Sequence, residues 1–206
     1  MSLPTLKKEN ILPAVNGSRP VNPFLAEAQC GGGTQTGKII NYSKGNWYHR
    51  DEKIALGTEF QLDLYNAQKG YTRWVGNEPA ERRIVYIRNN ERLPNRDELG
   101  YNDQSEWEFV DGKARDPWQL LWYLPMTHLG TGELYCWVFG SEGAQETFYN
   151  VCGAYGASQE RGECSVPIIS LQTTQYKNKK YGRIDKPVLK IERWQDMLDL
   201  LLPDGE

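Results

Sequence analysis

One stretch, residues 116 to 155, limits what this chain can fold into, because it reads as strand, turn, strand and helix in direct succession. In Asp116-Pro-Trp-Gln-Leu-Leu-Trp-Tyr-Leu-Pro-Met126, alternation places Trp118, Leu120, Trp122, Leu124 and Met126 on one side of an extended chain. Gln119, Leu121 and Tyr123 take the other side. After a Gly-Thr-Gly turn, Glu133-Leu-Tyr-Cys-Trp-Val-Phe-Gly140 sets Leu134, Cys136 and Val138 on one face and Tyr135, Trp137 and Phe139 on the other. That second face is a ladder of aromatic rings. Ser141 is placed to accept a hydrogen bond from a first-turn N–H of a helix. Ala144, Phe148, Val151, Cys152 and Tyr155 then recur at spacings of three and four until Gly156, which is expected to end it.

At 206 residues the chain suits one domain with appendages. A net charge of −3 excludes a generally basic nucleic-acid coat but leaves room for a local basic patch. The 7 Trp and 12 Tyr suggest flat faces kept for stacking, and aromatic strand cores account for them equally well. Cys30, Cys136, Cys152 and Cys164 form no CxxC pair and histidines number 2, so neither a zinc site nor a disulfide framework is expected. No cofactor is expected. The first residues, Met-Ser-Leu-Pro-Thr-Leu-Lys-Lys, lack the apolar run of an export signal, and no segment reaches membrane-spanning length. The expected setting is the reduced cytoplasm of a bacterial or phage-infected cell, away from membranes.

Residues 1–37, with Pro4, Pro13, Pro20, Pro23 and a triple glycine, read as a flexible arm with a short helix at Pro23 to Gln29. Within it Gly32-Gly-Thr-Gln-Thr-Gly-Lys38 nearly matches a phosphate-binding loop. Ile39 follows where a magnesium-binding hydroxyl belongs, and no apolar strand precedes the glycines, which argues against nucleotide hydrolysis. Residues 38–194 form the expected body. Ile39 to Tyr42, Trp47 to His49, Gly57 to Tyr65, Tyr71 to Val75 and Arg83 to Arg88 read as an antiparallel meander. Asn89 to Asp111 reads as an exposed charged loop. Val166 to Thr173 and Lys186 to Trp194 read as paired strands around a hairpin tip, Tyr176-Lys-Asn-Lys-Lys-Tyr-Gly-Arg183. Residues 195–206 form an acidic, leucine-rich tail.

The order β-β-β-α-β-β over Gly57 to Arg193 is that of a five-stranded OB barrel, with one helix between strands three and four and additional N-terminal strands. A β-sandwich with one helix fits the strand count nearly as well. Gly57-Thr-Glu-Phe, Asp116-Pro-Trp-Gln with the strand and small-residue helix after it, Pro167-Ile-Ile-Ser-Leu and Tyr181-Gly-Arg-Ile-Asp-Lys-Pro-Val-Leu together resemble a family of uncharacterised proteins encoded in bacteriophages and prophages. The resemblance covers roughly residues 39 to 194. It implies a bacterial or phage setting and carries no catalytic residues with it.

OB barrels hold single strands by stacking bases on exposed rings while cations track the phosphates, at about 1–3 kcal/mol per stacked base. Tyr135, Trp137, Phe139 and, on the neighbouring strand, Tyr123 meet that requirement if their face is open. Between Lys177 and Arg193 lie seven cations (Lys177, Lys179, Lys180, Arg183, Lys186, Lys190, Arg193) against two acids, a local balance of +5. The expected function is single-stranded DNA binding in phage replication or recombination. Lys177, Lys179, Lys180, Arg183 and Lys186 would contact phosphates, and Tyr176 and Tyr181 would stack. The acidic tail resembles those through which single-strand-binding proteins recruit replication or recombination partners. A core-packed ladder, a merely solvated hairpin and a tail docked on its own barrel are the competing structural readings.

No enzyme is expected, since His49 and His128 sit in separate segments and no nucleophile motif appears. A nuclease using Asp97, Glu98, Asp103, Glu106 and Glu108 for metal is the less favoured alternative. A β-rich virion or assembly component, with homo-oligomeric contacts, is the other.

Overall fold

The computed structural model describes residues 37–196, apart from 77, 111, 164, 180, 181 and the side chain of 178. The expected arm (save Gly37), the tail (save Gln195 and Asp196), Cys30, Cys164, Lys180 and Tyr181 lie outside the described residues. The fold is mainly β with one long helix.

In chain order the strands are β1 (Lys38–Ser43), β2 (Asn46–His49), β3 (Glu52–Ile54), β4 (Glu59–Leu62), β5 (Gln68–Val75), β6 (Glu78–Tyr86), β7 (Glu108–Val110), β8 (Lys113–Arg115), β9 (Trp118–His128) and β10 (Leu134–Phe139). Helix α1 (Glu142–Glu160) follows, then β11 (Ser165–Asn178) and β12 (Gly182–Asp196). Ten strands join one curled, half-barrel sheet along the path β12-β11-β4-β9-β10-β1-β2-β3, with β5 on β9 and β6 on β5; β7 and β8 form a separate pair.

The long alternation expected from Gly57 to Tyr65 is broken at Asp63. Its carboxylate accepts from the Asn66 backbone N–H at 3.1 Å and from the Asn66 side-chain amide at 2.7 Å, which starts a 3-10 turn at Leu64–Asn66. The chain bends there and resumes as β5. β4 and β5 therefore lie along the same edge of β9, through Leu62↔Met126 and Gln68↔Tyr123, like one interrupted strand. The bend leaves the other edge of β4 free for β11, through Ser170↔Glu59 and Ile168↔Gln61.

The concave face holds the core. Trp122, Leu124 and Met126 of β9 meet Trp137 and Phe139 of β10, Ile40 and Trp47 of β1 and β2, Phe60 and Leu62 of β4, and Ile169, Leu171 and Leu189 of β11 and β12. Helix α1 adds Ala144, Phe148 and Val151, its apolar face laid on Trp122 and Phe139. Ser141 stands at the N-cap, but its hydroxyl makes no capping bond; its carbonyl instead accepts from Ala144 and Gln145 N–H. The helix does not stop at Gly156. A Cβ at Gly153 or Gly156 would meet nothing within 4 Å, so both sit on the outer face, and the helix runs on to Glu160, with Arg161 as its C-cap and Gly162 (φ +76°) just beyond. Each glycine costs the helix about 1 kcal/mol against alanine, too little to end it.

A closed five-stranded barrel is not what forms. Among the described residues β12 pairs with β11 alone, and the free edge of β10 is taken by β1, running parallel through Lys38↔Tyr135 and Ile40↔Trp137. Side chains lace the curled ends together: Trp47 Nε1 donates to Gln172 O at 3.0 Å, and Tyr42 OH and Thr173 Oγ1 are hydrogen-bonded at 2.5 Å. No helix among the described residues is long and apolar enough to cross a membrane.

Candidate nucleic-acid interface

The expected aromatic ladder is interior. Trp137 is 1% exposed, Phe139 6% and Tyr123 3%, and Tyr135 is half-buried. The register explains why. Trp137↔Leu124, Tyr135↔Met126 and Phe139↔Trp122 are paired across β9 and β10, and paired residues on neighbouring strands share a face. The ladder thus faces the side of β9 that helix α1 and the sheet's own curl cover. Trp137 lies 5.1 Å from Trp47, edge to face, and 4.1 Å from Phe139, stacked; Phe139 continues to Phe148 at 5.5 Å. Tyr123 pairs with Val138 and so belongs to the opposite face, where its OH meets Thr72 Oγ1 at 2.6 Å. Burial pushes its phenol pKa up, offset in part by that bond. Trp137, Phe139 and Tyr123 are buried and offer no base a platform, and Tyr135 packs half-buried against the core.

The two histidines, distant in sequence, both end at the edge of the ladder. His49 lies 5.9 Å and His128 6.2 Å from the Tyr135 ring. Each Nδ1 is committed to backbone: His49 to Ile39 O at 2.9 Å, and His128 as acceptor of Gly130 and Thr131 N–H at 3.0 and 3.1 Å. They fasten turns. Cys136, on the face opposite the ladder, is buried and its thiol pKa is pushed up to about 12; that of half-buried Cys152 rises to about 11 by the same desolvation.

The basic ribbon divides into a base and a tip. At the base, Lys186 is folded down onto α1, its Nζ 2.6 Å from Glu146, with its side chain 15% exposed. Lys190 pairs with Glu192 at 2.8 Å and Arg193 with Glu59 at 2.9 Å. Lys190 and the Ser170 hydroxyl together hold the Glu192 carboxyl below its ordinary range. Lys186, expected to touch phosphate, instead secures the helix to β12, alongside the Thr147 hydroxyl that donates to Pro187 O at 2.6 Å.

At the tip the arrangement is different. Tyr176, Lys177, Lys179 and Arg183 are exposed, and among the described residues no carboxylate is paired with any of the three cations. Lys177 and Arg183 are directly opposite each other across the two strands. Like charges so placed repel, a local cost that a bound anion removes. The nearest acid along the ribbon, Asp185, is already held by the Gln175 amide at 2.6 Å. Gln175, Tyr176, Lys177, Gly182 and Arg183 line an open hollow of about 420 Å3.

A second ring-and-cation region lies in the excursion from the 3-10 turn at Leu64–Asn66 to β9, residues 64–117, which sequence reading took as meander and charged loop. Residues 64–96 carry Lys69, Arg73, Arg82, Arg83, Arg88, Arg92 and Arg96 against Glu78, Glu81 and Glu91, a count that could have singled them out. The Arg88 guanidinium sits 4.3 Å from the Tyr65 ring and 4.0 Å from Tyr86, and Arg73 lies 4.7 Å from Tyr101. The exposed rings here are Tyr101 at 51% and Phe109 at 70%.

The charged loop is organised, because Arg96 gathers it. Its guanidinium forks onto both Asp116 oxygens at 2.7 Å and donates to Gly100 O, Asn102 Oδ1 and Tyr101 O at 2.8–3.1 Å. The loop carboxylates have local tasks: Glu98 closes a capping box with Asn95, Asp103 holds Ser105, and Glu108 accepts from Gly76 N–H at 3.1 Å. Among the described residues no three His, Cys, Asp or Glu side chains converge as metal ligands would.

Comparison with protein-family models, with curated proteins and with solved structures yields no match to this chain.

Proposed function

We propose that this protein binds single-stranded DNA in phage or prophage replication or recombination, and that the tip of the β11–β12 ribbon is the part that holds the strand. The observation that carries the reading is the cation set Lys177, Lys179 and Arg183, which no carboxylate among the described residues pairs with, beside exposed Tyr176, with Lys177 and Arg183 opposite each other. Phosphates relieve that repulsion while a base stacks on the tyrosine. Lys180 and Tyr181 extend the same set in sequence.

The strand order supports this. β4, β9, β10, α1, β11 and β12 follow the OB sequence of elements, with β4 flanked by β9 and β11. We read the fold as an OB relative in which β1 has taken the strand position beside β10. On that reading the ribbon tip is the loop between the last two strands, and residues 64–117 enlarge the loop between the first two. Those two loops flank the oligonucleotide in OB proteins.

Titration of fluorescently labelled single- and double-stranded oligonucleotides of matched sequence tests the proposal. Tighter binding of the single strand, weakening steeply with salt and leaving the strand intact, supports it. Equal binding of both forms removes it, and cleavage in the presence of divalent metal favours the nuclease alternative.

A further inference from the structure

A cleft of about 150 Å3 opens between the β5–β6 turn, the loop after β6, and β8. Cavities of about that size hold one benzene-sized ring. Its ring-bearing walls are Trp74, Tyr101 and Trp107, and Arg73, Arg115, Glu106 and Glu108 are among the charged groups of the lining, with the Arg73 guanidinium 4.7 Å from the Tyr101 ring. The walls are set before anything binds. Trp107 Nε1 donates to Tyr101 O at 2.8 Å, and the same carbonyl receives one of the Arg96 bonds that tie the loop to Asp116. A site fixed in this way loses little entropy on binding a flat ring.

The polar groups have a definite sense. A carboxylate accepts hydrogen bonds and donates none, and Glu108 gives up part of its accepting capacity to Gly76 N–H. With the Gln119 side-chain amide turned so that its oxygen faces Arg115, that oxygen accepts from Arg115 Nε and Nη2 at 3.0 and 2.7 Å. Flat ring-bearing walls, carboxylate acceptors at the edge and the two cations Arg73 and Arg115 beside them match a nucleotide whose base carries hydrogen-bond donors.

We propose that this cleft takes one unstacked base of a bound single strand and prefers bases with an exocyclic amine, an inference that rests on the single-strand binding proposed above. Cytosine donates from its amine, whereas thymine presents a carbonyl oxygen at that position, which a carboxylate repels.

The experiment compares anisotropy titrations of labelled cytidine and thymidine homopolymers of equal length near neutral pH. The wild type is expected to bind the cytidine strand about five- to tenfold more tightly. Glu106→Gln with Glu108→Gln, which gives the cleft donors without changing its shape, should erase that preference, and Trp107→Ala should do the same if circular dichroism shows it folded. Lys177→Ala with Lys179→Ala should weaken both strands by the same factor. Equal wild-type affinity for the two strands, or a preference that survives in the glutamine variant, overturns this inference and leaves single-strand binding in place. Failure of both strands to bind overturns both.

Discussion

The β10 ladder and the β11–β12 ribbon both carry aromatic rings on extended chain, and the fold uses them for opposite purposes. Trp137 and Phe139 are sealed among Trp47, Trp122 and Phe148, whereas Tyr176 is exposed beside cations that no acid among the described residues is paired with. What separates them is the neighbour on the far side. β10 is flanked by β9 and β1 and capped by α1, while among the described residues the two strands of the ribbon beyond Thr173 pair only with each other. Rings with strands on both sides supply cohesion; rings on a projecting pair are left free to meet something else.

The comparison can be broken most forcefully through the core. Trp137→Ala should cost about 3–5 kcal/mol in urea denaturation, since it empties a fully buried site, whereas Tyr176→Ala should change stability by under about 0.5 kcal/mol. A ladder variant that unfolded no more easily than the tip variant would undo the distinction. Next in size, Arg96→Ala should cost about 1.5–3 kcal/mol, because it removes charge-assisted bonds that gather residues 95–118 and strands Asp116. Selective amide exchange in that loop would show it.

Among the ribbon cations, neutralising Lys190 and Arg193 at the base should leave oligonucleotide affinity within about twofold and stability within about 1 kcal/mol, since both engage in exposed pairs. Loss of affinity there equal to that at the tip would erase the division between them. The smallest effect concerns Cys136. With its thiol pKa pushed up to about 12 by burial, the thiolate is scarce at pH 8, and peptide mass spectrometry should find it unalkylated in the native protein and alkylated after unfolding.

Much of the architecture was legible in the chain. The paired strands around the Gly130 turn, the helix after Ser141 and the long basic hairpin all follow from local periodicity and turn chemistry, which the sequence carries within a few residues. The interior position of the ladder was not, because a strand reveals which residues share a face but not which face is covered. Tyr123, Cys136 and Val138, all apolar and opposite the ladder, were the available sign that β9 and β10 are buried on both sides. The pairing of Lys186, Lys190 and Arg193 with Glu146, Glu192 and Glu59 depends on contacts that only folding creates, so a local count of +5 overstated the free charge. The Arg96 hub was invisible for a related reason: Asp116 is twenty residues away along the chain.

The most direct measurement is the salt dependence of single-strand affinity for the wild type and for Lys177→Ala with Lys179→Ala and Arg183→Ala, both shown folded. Each phosphate neutralised on a single strand contributes about 0.7 to the slope of log affinity against log salt, so three lost contacts should flatten it by about 2. Parallel slopes for the two proteins would contradict the assignment of the strand to the ribbon tip.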